Sequence, residues 1–149
     1  MSITSTRDSV SAQRIFRRKA ASTAIAELEV LVENGTGEVT PMTNPNEERI
    51  VGLSGKPVTS ADSDYASLTR IPVLNDKEAE YEFDNVSTGA APTEAIEGTY
   101  IDFAAAAPSL TVDSNASTYD HVYVTKFISA TKLRGKIVRW TDAEPPATN

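Results

Sequence analysis

Turn signals interrupt this chain roughly every ten residues, and that spacing restricts its fold more than any other feature. Asn34-Gly35, Asn44-Pro45, Ser54-Gly55, Asn75-Asp76, Gly98, Pro108 and the polar run 113–118 each punctuate it. The runs between them suit strands, and none of them requires a helix of ordinary length. Within the runs, apolar and polar residues alternate. Residues 78–84, EAEYEFD, are the clearest case. Ala79, Tyr81 and Phe83 share one face, and Glu78, Glu80, Glu82 and Asp84 share the other. Residues 121–140, HVYVTKFISATKLRGKIVRW, read as two strands joined across Ser129-Ala130-Thr131. Leu133 and Ile137 lie on one face there, with Lys132, Arg134 and Lys136 on the opposite one.

Taken in order, the pattern predicts strands at 27–32, 38–40, 49–53, 70–74, 78–84, 99–103 and 110–112, before the closing pair. Residues 14–20 fit a strand or the start of a helix. Asn34-Gly35 signals a hairpin, with Gly37 as a bulge. Pro72 argues for an edge strand or a bulge. Residues 93–97 suit one helical turn closed by Gly98. The expected class is all-β, a small antiparallel β-barrel or sandwich. The expected organisation is a flexible arm over 1–13, one domain over 14–140 and a flexible, Pro-containing tail over 141–149.

Composition narrows the function classes. There is no cysteine, which removes disulfides and thiolate metal sites. No apolar run reaches the length of a membrane span, and no apolar segment of the signal-peptide kind follows the first charges. The net charge is −7, yet both ends of the domain are basic. Residues 1–19 carry Arg7, Arg14, Arg17, Arg18 and Lys19 against Asp8 alone, and residues 126–139 carry five cations and no acid. The acidic total, and the lack of clustered aromatics beside the basic residues, argue against nucleic acid. His121 is the only histidine, and Asp120 beside it on a strand would point to the opposite face. Asp62-Ser63-Asp64 and Asp113-Ser114-Asn115 open like calcium loops but lack the glycine and glutamate that complete one. Gly35-Thr36-Gly37 has no phosphate-loop continuation. No catalytic residue, metal ligand or cofactor is therefore expected, and such a chain would act through its surfaces.

Three stretches together resemble the small decoration, or cement, proteins of tailed-phage heads. They are RRKAASTAIAELEVLVENGTGEVTP, IPVLNDKEAEYEFDNVSTG, and EAIEGTYIDFA followed by HVYVTKFISATKLRGKI. The resemblance rests on their order and spacing over roughly residues 14–138. It implies a non-enzymatic virion protein on the outer capsid surface, commonly a homotrimer, that bridges and stabilises major capsid protein subunits. First and last strands often lie together in small closed sheets. That places Arg14, Arg17, Arg18 and Lys19 beside Lys132, Arg134, Lys136 and Arg139 as an expected capsid-docking face. The alternative is a ligand- or carbohydrate-binding β module of a phage tail or cell-surface protein, with Trp140, Tyr65, Tyr119 and Tyr123 as candidate sugar platforms.

Overall fold

The computed structural model describes residues 3–5, 14–43, 50–76, 78–104 and 111–138. Its strands are β1 (Ile3–Ser5), β2 (Arg14–Arg18), β3 (Val30–Glu33), β4 (Val39–Pro41), β5 (Ile50–Ser54), β6 (Arg70–Leu74), β7 (Tyr81–Val86), β8 (Tyr100–Phe103), β9 (Val112–Asp113), β10 (Val122–Ser129) and β11 (Lys132–Ile137). One 3-10 turn, Glu94–Ile96, precedes β8; the Thr93 hydroxyl caps it, and Gly98 follows at φ 85°. The protein is all-β, as its turn spacing predicts.

Ten of the strands, β2 to β11, form two five-membered sets that share one topology. In the first set the order is β2-β6-β5-β3-β4, and in the second it is β7-β11-β10-β8-β9. Numbered within each set, both run first, fifth, fourth, second, third. All these pairings are antiparallel. Both sets then close by a short parallel contact between third and first strands. In the second set Asn85 and Val86 pair with Val112 and Asp113. In the first, Lys19 bridges Val39, and the Ala20 N–H donates to the Val39 carbonyl at 3.0 Å.

The two closures match in detail. Lys19 donates its N–H to the Thr69 carbonyl, just before the fifth strand, at 2.9 Å. Asn85 donates its N–H to the Thr131 carbonyl, just before the other fifth strand, also at 2.9 Å. Both side chains are buried, and both satisfy carbonyls of the same connecting loop. Lys19 Nζ donates to Tyr65 and Ser67 at 2.9 and 2.7 Å. Asn85 Nδ2 donates to Ala130 at 2.8 Å. Buried polar groups must be paired in this way or be lost to water.

Packing follows from alternation along the strands. Leu31, Val39, Val51, Ile71 and Val73 fill the first set. Val30, Val32, Ile50 and Leu53 emerge on its other face and join one cluster with Tyr81, Phe83, Ile101, Phe103, Leu133 and Ile137 of the second set. β3 and β5 are therefore apolar on both faces. The outward face of β7 and β11 is charged.

Two expectations change. The arm 1–13 contains β1, which pairs antiparallel with β7 through Ile3, Thr4 and Ser5; its other residues, and the tail 141–149, lie outside the described ones. Pro72 is not on an edge, because β6 has β2 on one side and β5 on the other. The β5 ladder covers only Val73 and Leu74, and just beyond it the Pro72 carbonyl still accepts the Gly55 N–H at 2.8 Å, so the one bond the proline lacks falls where the ladder ends. The Asn34 hairpin forms between β3 and β4 as expected, and its left-handed residue is Gly37, at φ 92°. The Asn34 carboxamide oxygen holds the turn by accepting from the Thr36 and Glu38 N–H groups, each at 3.0 Å.

Gly135 faces inward where β11 crosses β10. A methyl group there would overlap the Tyr123 carbonyl oxygen and meet Val122 Cγ1 at 2.8 Å. Gly135→Ala should destabilise the protein by about 1–3 kcal/mol in urea unfolding, since backbone must shift. Gly35→Ala, with nothing within 4 Å of the added atom, should stay within about 0.5 kcal/mol of the parent. Equal midpoints for the two variants would contradict this account of the packing.

Candidate interaction surface

The basic residues singled out in the sequence fall on two separate sheets. β2 belongs to the first set and β11 to the second. The strand that joins the second set near β11 is β1, not β2. The seven of these cations among the described residues therefore do not make one face through paired first and last strands. Arg139 lies outside the described residues, as does Trp140.

The β11 cations are already partnered. Each faces an acid across the strand pair or just before it. Lys132 Nζ lies 3.2 Å from Asp84, Arg134 Nη2 2.9 Å from Glu82, and Lys136 Nζ 3.0 Å from Glu78. The hydrogen bond that Lys136 donates to the Glu78 carboxylate holds it above the ordinary lysine pKa, with the Glu78 and Glu80 charges adding to the effect. This ladder is what period-two alternation of EAEYEFD against KLRGK produces when the two strands pair.

The β2 cations divide by face. Arg17 points toward the β3–β4 hairpin, where it pairs with Glu33 at 2.5 Å and approaches the Gly37 carbonyl at 3.4 Å. Lys19 has no exposed surface. Arg14, Phe16 and Arg18 are exposed on the opposite face. Phe16 is 60% exposed, the most open large apolar side chain among the described residues. Across from it on β6 sit Pro72 and, opposite Arg18, Arg70. Among the described residues, Arg14, Arg18 and Arg70 make no ion pair. The result is an exposed aromatic side chain with three arginines at neighbouring positions on the same face.

Sequence reasoning missed Phe16 and Arg70. The Phe16 signal was present, since RIFRR places an aromatic two residues from an arginine on each side, hence on one face. Arg70 needed the β2–β6 register. Tyr100 was missed too: it is 47% exposed and packs on Tyr123 with ring centroids 5.2 Å apart. Of the other candidate platforms, Tyr65 packs against the first core and Tyr119 stacks on His121 at 5.8 Å.

The groups best suited to proton transfer hold the fold together instead. His121 is fully buried. Its Nδ1 accepts from the Phe103 N–H at 3.0 Å, and its ring stacks on Phe103 at 5.0 Å. Asp102 accepts from the N–H groups of Thr118, Tyr119 and Asp120 at 2.8, 2.9 and 2.7 Å. That cradle sets the turn into β10, where Asp120 adopts φ 55°. Asp113 accepts from Asn115 N–H at 2.8 Å and from the Thr88 hydroxyl at 2.9 Å. Asp62 and Asp64 accept from Thr59 N–H and the Thr69 hydroxyl, both at 2.9 Å. Both calcium-like openings are thus turn and loop braces. Among the described residues no cluster of three or more metal-ligating side chains forms. Burial pushes the Tyr81 hydroxyl up to about 12, with Asp76 adding to the effect.

With this geometry in hand, comparison with protein-family models and with curated protein sequences finds no match for the chain.

Glu29 is the titratable group most open to test. It sits buried in the turn before β3, accepting the Ala26 N–H at 2.8 Å. Burial raises its pKa above the ordinary 4.5, and the Ala26 hydrogen bond only partly opposes this. The folded protein therefore binds this proton more tightly than the unfolded chain. Glu29 contributes most below 4.5, and its contribution falls as pH rises through the interval up to the raised folded value. Glu29→Gln keeps an acceptor for Ala26 and removes the charge. It should stabilise the protein at pH 7 by on the order of 0.5–1 kcal/mol. The difference should shrink toward pH 4, and thermal unfolding at both pH values reads it. A difference that grows on acidification would refute the assignment.

Proposed function

We propose that this chain is a non-enzymatic structural protein of a tailed-phage virion. In this reading it binds the outer capsid surface as a homotrimer and bridges major capsid protein subunits. The observation that carries the reading is the exposed face of β2 and β6, where Phe16 shares one face with Arg14, Arg18 and Arg70. An apolar anchor with a charged rim is the usual make-up of a protein-docking patch. The commitment of His121, Asp102 and Asp113 to backbone contacts supports action through surfaces. The likeness of the strand-and-turn sequence to decoration proteins supplies the capsid as partner. Docking in many copies on one shell would let each contact be modest.

The docking face of this proposal differs from the one expected from sequence. It keeps Arg14 and Arg18, adds Phe16 and Arg70, and leaves out the β11 ladder, whose cations are neutralised by their own neighbours. Wild-type protein should co-sediment with purified particles. Reversing Arg14, Arg18 and Arg70 to Glu together should lower occupancy about tenfold or more, because several like changes at one patch add up where single rim charges are worth about 1 kcal/mol at most. Reversing Lys132, Arg134 and Lys136 should affect folding stability more than occupancy. Raised salt should weaken binding, since screening acts over about 8 Å at physiological ionic strength. Gel densitometry against the major capsid protein gives the occupancy, and light scattering the mass. Unchanged occupancy of the β2–β6 reversal would rule out this face, and a monomer both free and on particles would rule out the trimer.

The Tyr100–Tyr123 pair favours a second reading, a carbohydrate-binding module, because exposed aromatic rings offer a stacking platform. A glycan array separates the two readings: specific retention that Tyr100→Ala abolishes would replace the decoration reading with this one.

A further inference from the structure

The shared topology makes the two sets comparable strand by strand, and one difference stands out. β2 in the first set corresponds to β7 in the second. Aligning the closures sets Lys19 against Asn85, Arg17 against Phe83, Phe16 against Glu82 and Ile15 against Tyr81. On β7, the edge facing away from β11 is taken by two strands in turn. β9 covers Asn85 and Val86, and β1 covers Tyr81, Glu82 and Phe83. On β2, the bridge to Val39 takes the corresponding first place at Lys19. Among the described residues, no strand takes the second place, beside Ile15, Phe16 and Arg17.

Alternation tells which groups line that vacancy. Lys19 N–H bonds to Thr69, so Arg17 and Ile15, two and four residues away, also direct their backbone groups toward β6. The N–H and carbonyl of Phe16 then point off the open edge, as those of Glu82 point at Thr4 on β1. Arg70 Nη1 lies 3.4 Å from the Phe16 carbonyl, a long contact that an incoming N–H could displace.

We infer that the open edge of β2 accepts a sixth strand: a short, extended, acidic segment of a partner protein, added as β1 is added to β7. The side chains beside the edge specify its sequence. Arg14, Phe16 and Arg18 stand on one exposed face, two residues apart. Cross-strand neighbours on that face would be an apolar residue at Phe16 and carboxylates at Arg14 and Arg18. The partner segment therefore reads acid, any, apolar, any, acid. Main-chain bonds hold such a strand and its alternate side chains select it. The inference deepens the docking reading at the same face, and rests on it only for which protein supplies the strand.

The test uses the full chain, labelled with nitrogen-15, and two blocked peptides, Thr-Glu-Thr-Val-Thr-Glu-Thr and Thr-Lys-Thr-Val-Thr-Lys-Thr. The acidic peptide should shift the amide signals of residues 14–18 and slow hydrogen exchange at the Phe16 amide tenfold or more. The lysine peptide should do neither. Phe16→Ala should weaken the acidic peptide, and Phe16→Pro should abolish the slowed exchange pattern at neighbouring residues. Proline there removes a donor that the β6 ladder does not use, so thermal unfolding should confirm that the variant still folds. No perturbation by the acidic peptide, equal effects of both peptides, or undiminished binding to Phe16→Pro would each overturn the inference. So would concentration-dependent protection of Phe16 in the peptide-free protein, which would make a second copy the occupant. Particles play no part in this experiment. Loss of capsid binding alone would therefore count against the decoration reading and leave the strand site standing.

Discussion

Everything in this structure depends on a short parallel contact made twice, between the first and third strands of each five-stranded set. Antiparallel pairing alone would leave two open sheets with four long edges. The contact at Lys19 and Val39, and its counterpart at Asn85 and Val112, turns each sheet back on itself. It also forces a polar residue into the interior at the seam. A buried polar group is costly unless it is hydrogen-bonded. Lys19 meets that condition with two of its three ammonium donors, on the carbonyls of Tyr65 and Ser67. Asn85 meets it with Ala130 and with the Ser114 N–H, which donates to its carboxamide oxygen at 2.9 Å. In each set the seam therefore also fixes the loop that delivers the fifth strand. A cation does this in one set and a carboxamide in the other.

The seam explains how a chain without cysteine or long helices orders so many short strands. Each first strand is bonded on both edges over part of its length, and its loop partners are far away in sequence. Lys19 reaches residues 46 and 48 positions on, and Asn85 reaches one 45 positions on. Such contacts are slow to find during folding, because the loop must close before they give anything back. Once formed, they hold the interior of the first set and the shared cluster between the sets in one arrangement. The outer face of β3 and β5 then becomes a floor for the second set rather than a solvated surface.

Much of this was readable from residue patterns, and the unreadable part has physical causes. The alternation in residues 78–84 gave the buried faces of Tyr81 and Phe83 and the exposed acids, and the closing pair gave Leu133 and Ile137 as core. Asn34 marked its hairpin, although the side chain rather than the Asn-Gly backbone does the bracing. Period-two patterns say which face is apolar but not which strand lies alongside. The paired sets were therefore invisible, since RIFRRK and YEFDNV satisfy the same pattern with different residues. The same blindness joined β2 to β11 as one docking face. Burial of His121 and Lys19 was hidden because nothing local distinguishes a buried polar residue whose partners lie far along the chain. Pro72 misled because a proline tolerated where a ladder stops looks, in sequence, like one on an edge.

The contrast between β2 and β7 shows how charge is used on the two edges. On β7, Glu82 and Asp84 face the β11 cations, and the remaining edge is occupied by β1, so little is left to attract a stranger. On β2, the arginines flanking Phe16 guard an edge that the described residues leave open. Arginine at an edge protects against indiscriminate pairing, because an apolar or basic strand would have to desolvate or oppose the guanidinium groups. The same arginines favour a strand carrying carboxylates at matching positions. Guarding and recognition are then one mechanism acting on different partners, and the discrimination lies in the repulsion as much as in the attraction. An edge kept open in this way combines an apolar anchor, free main-chain groups and a selective rim within five residues of sequence, Arg14–Arg18.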